Sequence, residues 1–167
     1  YDLLGIMTGS EGLRGVVTEV TVRILQKPET ARAVLVGFPS SEDAGQCVAD
    51  VISAGIIPGG MEMMDRLATK AAEDFVHAGY PLDVEALLII EVEGSDAEIA
   101  EQLARIRDIA NRHNPVEFRE AADEDQAKRI WLGRKSAFGA MGQINDYMCL
   151  DGTIPVSSLP HVLRRIG

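Results

Sequence analysis

Ala86-Leu87-Leu88-Ile89-Ile90-Glu91-Val92 decides the fold. Apolar side chains at every position but one, with branched residues that suit an extended backbone, mark a central β-strand. Residues 96–111 follow it as an amphipathic helix, with Ile99, Leu103, Ile106 and Ala110 on one face. Residues 116–120 then read as a short strand, residues 124–141 as a long helix, 147–155 as a strand and 158–166 as a helix. Upstream, residues 31–38 form a second apolar strand that Pro39 breaks. A serine followed by Glu42 and Asp43 opens a helix, with acids where the helix dipole favours them. Ala44, Cys47, Val48, Val51 and Ile52 keep helical spacing, and Gly55 is placed to end that helix. Residues 56–61 are a turn or short strand, and residues 64–77 are helical until Gly79-Tyr80-Pro81. Double βαβ units of this length predict an α+β fold of ferredoxin-like type, an antiparallel sheet with helices packed on one face.

Before this array, residues 1–15 are glycine-rich, and residues 16–25 (VVTEVTVRIL) read as a separate strand, with Pro28 at the boundary. The expected organisation is therefore a strip over residues 1–27 and a domain over residues 28–167. Tyr1 is not an initiator Met and Gly167 falls within a helical pattern, so a cropped chain is expected.

The 167 residues are 46% hydrophobic and 25% charged, the composition of a globular domain rather than a disordered one. A net charge of −10 argues against a general nucleic-acid binder, which needs a basic face to displace counterions. It argues equally against docking on anionic lipid. No apolar run approaches the roughly 20 residues of a membrane span. Cys47 and Cys149 stand far apart in no metal or redox pattern, which fits a reducing, cytoplasmic setting.

Three segments could carry chemistry. Gly9-Ser10-Glu11-Gly12-Leu13-Arg14-Gly15 lets backbone N–H groups approach a phosphate or a ring, or else is a structural turn before a strand. A strand rather than a helix follows, which excludes both the P-loop and the Rossmann fingerprint. Trp131-Leu132-Gly133-Arg134-Lys135, with Lys128 and Arg129, is a basic stretch in an acidic chain. It either holds a small carboxylate or forms a solvated helix face pairing with Glu124 or Asp125. Asp151-Gly152-Thr153-Ile154-Pro155 reads as a strand end and turn. Glu62 and Asp65 either cap a helix or line a cleft, with capping preferred. His77, His113 and His161 share no metal-ligand spacing, and no metal ligand is assigned.

The glycine segment with Val16-Val17-Thr18-Glu19 resembles the end of the flavin-binding domain in the FAD-linked oxidase family, of the glycolate oxidase and D-lactate dehydrogenase type. Ile56-Ile57-Pro58, Glu62-Met63-Met64-Asp65-Arg66, Ala78-Gly79-Tyr80-Pro81, Trp131-Leu132-Gly133-Arg134-Lys135 and Asp151-Gly152-Thr153-Ile154-Pro155 are similar to family motifs in the expected order. The resemblance implies oxidation of a small 2-hydroxyacid, glycolate or D-lactate, by hydride transfer to FAD. It implies that Gly9, Ser10, Gly12, Gly15 and Val16 lie against the FAD and that Arg134 clamps the substrate carboxylate. Relatives acting on other hydroxyacids carry a Thr and a Lys where Phe138 and Cys149 stand here, which favours a small, less charged substrate. Leu13-Arg14 replaces the family's usual Thr-Leu. Further oxidase subunits, including an iron–sulfur subunit, are implied partners. The 167 residues alone are expected to be inactive and to hold FAD weakly or not at all. The rival reading is a non-catalytic ferredoxin-like module that binds a ligand or a partner. It would leave Arg134 facing solvent rather than a cleft towards the glycine strip.

Overall fold

The computed structural model describes residues 1–166; Gly167, the last residue of the expected second region, lies outside them. The elements run α1 (Leu3–Met7), β1 (Thr30–Phe38), α2 (Ser41–Ser53), β2 (Gly60–Asp65), α3 (Arg66–Val76), β3 (Ala86–Gly94), α4 (Asp96–Ala110), β4 (Glu117–Glu120), α5 (Glu124–Ile144) and α6 (Leu159–Ile166). The strands make one antiparallel sheet in the order β2-β3-β1-β4. With α2 between β1 and β2 and α4 between β3 and β4, this is the ferredoxin-like order the sequence predicts.

The two middle strands pair along their whole length, from Thr30 opposite Gly94 to Phe38 opposite Ala86. Their side chains alternate across the sheet. Val34, Val36 and Phe38 of β1 join Ala86, Leu88, Ile90 and Val92 of β3 on the first face, beneath α2 and α4. The expectation of helices on one face holds for these two. It is widened on the second face, where Leu35, Leu87 and Ile89 pack with residues of α3 and α5, among them Ala72 and Ile130. A strand covered on both sides has no polar face, which is why residues 86–90 read as an unbroken apolar run.

Helix ends follow local chemistry. Ser40 accepts from the Asp43 N–H at 3.0 Å to open α2, and Gly55 takes a left-handed φ of 77° just past its end. Ser95 and Glu98 cap each other's backbone at the start of α4. Asp65 caps α3, accepting from the Ala68 N–H at 2.8 Å.

Two expected strands do not form. Residues 16–25 have no strand partner among the described residues, and Val16, Val17, Val20, Val22, Ile24 and Leu25 are all exposed. β-propensity is a fit to a neighbouring strand, and alternation alone supplies no neighbour. Residues 147–155 are likewise irregular, folded over α5 with the Tyr147 ring 6.3 Å from that of Phe138. Two boundaries also move. The helix expected from residue 64 begins at Arg66, and residues 60–65 belong to β2, where Met61 and Met63 turn to the first face and Met64 to the second. Residues 3–7, for which the sequence predicts no element, form α1, opened by Asp2 accepting from the Gly5 N–H at 2.9 Å.

Candidate active site

The second face carries the polar exceptions. Glu91 interrupts the apolar run of β3, and its carboxylate accepts from the Trp131 indole N–H at 2.7 Å. The Trp131 ring lies over β2 so closely that a side-chain carbon at Gly60 would stand 3.0 Å from it. Next to Trp131 on α5, the Ile130 carbonyl accepts from the Tyr80 hydroxyl. That tyrosine fills the space beside Gly133, where any added carbon would collide with its hydroxyl and ring. Glu73 of α3 fixes the loop that carries it, accepting from the Gly79 and Tyr80 N–H groups at 2.8 and 2.9 Å. Burial pushes the Tyr80 phenol up to about 12, with the Glu73 charge adding and Arg134 opposing. Two sequence motifs thus interlock, and they fix α5 against the sheet.

What they position is Arg134. Its Nε and Nη2 donate to a single oxygen of Glu62, at 3.2 and 2.9 Å, joining α5 to β2. The Arg134 side chain is only 26% exposed and lines a cleft of about 570 Å³. The walls are mostly apolar, with Met63, Met64, Phe138, Met141 and Tyr147 among them, and Cys149 completes them. Glu62 lines a separate cleft of about 800 Å³ on its other side, so the ion pair stands between the two. One cation in an apolar recess can hold a small carboxylate by charge-assisted, directional hydrogen bonds.

The basic stretch therefore divides in two. Lys128 pairs with Glu124 at 3.3 Å and Asp125 at 3.6 Å on an exposed face, while Arg134 turns inward. Asp65 caps α3 as the sequence favours and also lines the Arg134 cleft, while Glu62 lines the neighbouring cleft and holds the arginine. The sequence does not announce what Glu91, Tyr80 and Glu73 do here. The signals are a charge inside an apolar strand, at Glu91, and the motif Ala78-Gly79-Tyr80-Pro81 for Tyr80; Glu73 has none.

Gly9, Ser10, Gly12, Gly15 and Val16 are not brought to this cleft; none of its lining residues comes from residues 1–28. Among the described residues, the turn and side-chain hydrogen bonds of this strip stay within it. Gly9 and Gly12 take positive φ values of 73° and 80°, and a side-chain carbon at either would meet nothing within 4 Å. Their backbone is open to a flat group, which fits one wall of a flavin site.

The cysteines differ. Cys47, on α2, is buried against the sheet, and burial, with the Asp50 charge adding, pushes its thiol up to about 12. Cys149 is exposed in the Arg134 cleft. His113 pairs with Asp50 at 3.0 Å on the opposite side of the sheet. No helix among the described residues is long and apolar enough to cross a membrane.

A ferredoxin-like sheet with an arginine held in an apolar cleft is an α+β domain with room for a small carboxylate. Residues 27–167 match the family described as FAD linked oxidases, C-terminal domain, and the chain belongs to that family. It is 52% identical to the glycolate oxidase protein GlcD of Escherichia coli, over 100% of this chain and 34% of that protein. It is 32% identical to GlcD of Bacillus subtilis, over 100% of this chain and 36% of that one. A mitochondrial D-lactate dehydrogenase (cytochrome) of Arabidopsis thaliana is 30% identical over 99% of this chain and 29% of its own. The chain thus spans about a third of the length of these relatives. Among solved structures, an alkyldihydroxyacetonephosphate synthase superposes with a TM-score of 0.58 over 83% of this chain and 30% of its own; at 21% identity the likeness is one of fold.

Proposed function

We propose that this chain is the substrate-side part of an FAD-dependent oxidoreductase that oxidises a small 2-hydroxyacid, glycolate or D-lactate, to the 2-oxoacid. The observation that carries this reading is Arg134, fixed by Glu62 inside an apolar cleft. The guanidinium N–H groups not taken by Glu62 hold the substrate carboxylate. Phe138, Met141 and Tyr147 shield it from water, which strengthens that contact. Phe138 and Cys149 offer no second cation, so a monocarboxylate suits the cleft better than a dicarboxylate.

Residues 1–27 belong to the FAD-binding domain and residues 28–167 to the C-terminal domain; the family match that starts at residue 27 supports this boundary. Gly9, Ser10, Gly12, Gly15 and Val16 lie against the FAD, which takes the hydride when bound. The GlcD relatives are named as oxidase subunits, which supports work alongside further subunits, an iron–sulfur subunit among them. The setting is cytoplasmic. The 167 residues alone do not turn over.

The test is the anaerobic visible spectrum of the full-length protein. Flavin bands that bleach on adding glycolate or D-lactate are the expected result. Bands that bleach with neither acid overturn the substrate, and a protein that takes up no FAD overturns the reading as a whole.

A further inference from the structure

We propose that Glu62 is a positioning residue that sets how strongly Arg134 grips a carboxylate; the inference rests on the reading of Arg134 given above. Glu62 accepts both its hydrogen bonds through one oxygen, from Nε and Nη2. That arrangement fixes the plane of the guanidinium and leaves the Nη1 side for a ligand. The pair is only partly shielded from water, the Arg134 side chain 26% and the Glu62 side chain 43% exposed. Each carboxylate that binds Arg134 therefore meets the Glu62 charge behind it. A nearby like charge weakens the grip, and the weakening is larger here than in bulk water because the site is partly dry. Glu62 thus holds affinity down while keeping the geometry, a setting that suits a small substrate that must leave as product.

Glu62 is the only acid paired with Arg134 among the described residues; Asp65, which caps α3, also lines the Arg134 cleft, and its charge is common to every Glu62 variant. It reaches Arg134 from β2 across 72 residues of sequence, and the two line different clefts, of about 800 and 570 Å³. A ligand in the Arg134 cleft therefore meets the arginine and feels Glu62 through it.

The exposed thiol of Cys149 lies in the same cleft and reports on this charge without any turnover. Iodoacetate shares glycolate's two-carbon carboxylate skeleton with iodine in place of the hydroxyl, and iodoacetamide is its neutral counterpart. With either, the Cys149 sulfur displaces iodide and forms a carbon–sulfur bond. The full-length, FAD-loaded protein is treated with each reagent at one pH, and Cys149 labelling is followed by peptide mass. The quantity read is the ratio of the iodoacetate rate to the iodoacetamide rate. Glu62→Gln keeps the acceptor oxygen and removes the charge, and is expected to raise the ratio about three- to tenfold. Glu62→Ala also frees the guanidinium, and its ratio is expected to fall below that of Glu62→Gln. Arg134→Ala is expected to lower the ratio below that of the unaltered protein.

A ratio unchanged in Glu62→Gln, alongside a lowered one in Arg134→Ala, overturns the role of Glu62 and leaves the arginine reading intact. A ratio unchanged in Arg134→Ala overturns both. Equal ratios in Glu62→Gln and Glu62→Ala reduce Glu62 to a source of charge and overturn its positioning part. Glu62→Asn, a neutral amide that also keeps an acceptor oxygen, takes the place of Glu62→Gln should that variant not fold.

Discussion

Ile90 and Glu91 are neighbours in β3 and point to opposite faces of the same sheet. Ile90 joins an apolar layer under α2 and α4, with Met63 at its edge also lining the Arg134 cleft. Glu91 meets Trp131 beneath α5, on the face where Tyr80, Gly133, Glu62 and Arg134 are tied together. The first face is held by burial, which tolerates exchange of one apolar side chain for another of similar volume. The second has an apolar core of its own and adds directional hydrogen bonds between distant elements, which do not. One sheet thus divides its labour, with stability placed on one side and a shaped site on the other.

That division can be broken or sharpened in a graded way. Ile106→Ala removes a fully buried side chain of the first face and should cost about 2–5 kcal/mol, read from the denaturant midpoint. In the full-length protein the glycolate dependence of flavin reduction should stay as it was; a change there would mean the faces are not independent. Gly133→Ala should cost less, about 1–3 kcal/mol, because Tyr80 must shift to admit one methyl group. Here stability and hydroxyacid affinity should fall together, since the same helix carries Arg134.

At neutral pH the response to alkali does not show, and each face contributes one group to it. Cys47 on the first face is raised from an ordinary 9.0 to about 12, and Tyr80 on the second from 10.0 to about 12. Both are favoured in their neutral form by the fold. Their stabilisation is therefore complete below pH 9 for the thiol and pH 10 for the phenol, and is lost as pH rises towards about 12. Thermal melts should decline over that window. Cys47→Ala should flatten the part that starts near pH 9, and Tyr80→Phe the part that starts near pH 10.

The two faces are not equally legible in the sequence. The first follows from local periodicity: residues 31–38, 86–92 and 96–111 announce their own elements, and the ferredoxin-like order follows from their succession. The second face is visible as motifs without connections. Nothing local says that Tyr80 donates to the Ile130 carbonyl, or that Glu62 reaches Arg134 across 72 residues. Such pairs are fixed only once the sheet has set α5 over β2. The misread strands make the same point. Residues 16–25 have the alternation and β-branched residues of a strand but no ladder to join, because propensity specifies a backbone and not a partner. For Arg134 the spacing leaves a solvated helix face open; its inward turn depends on Glu62, which the sequence does not bring to it.

The measurement that bears most directly on the central claim is the glycolate or D-lactate concentration needed to half-reduce the flavin of the full-length protein, compared with that of Arg134→Ala. The account predicts a rise of at least tenfold, about 1.4 kcal/mol, with the flavin content unchanged. Equal concentrations in the two proteins would show that the carboxylate is held elsewhere and would contradict it.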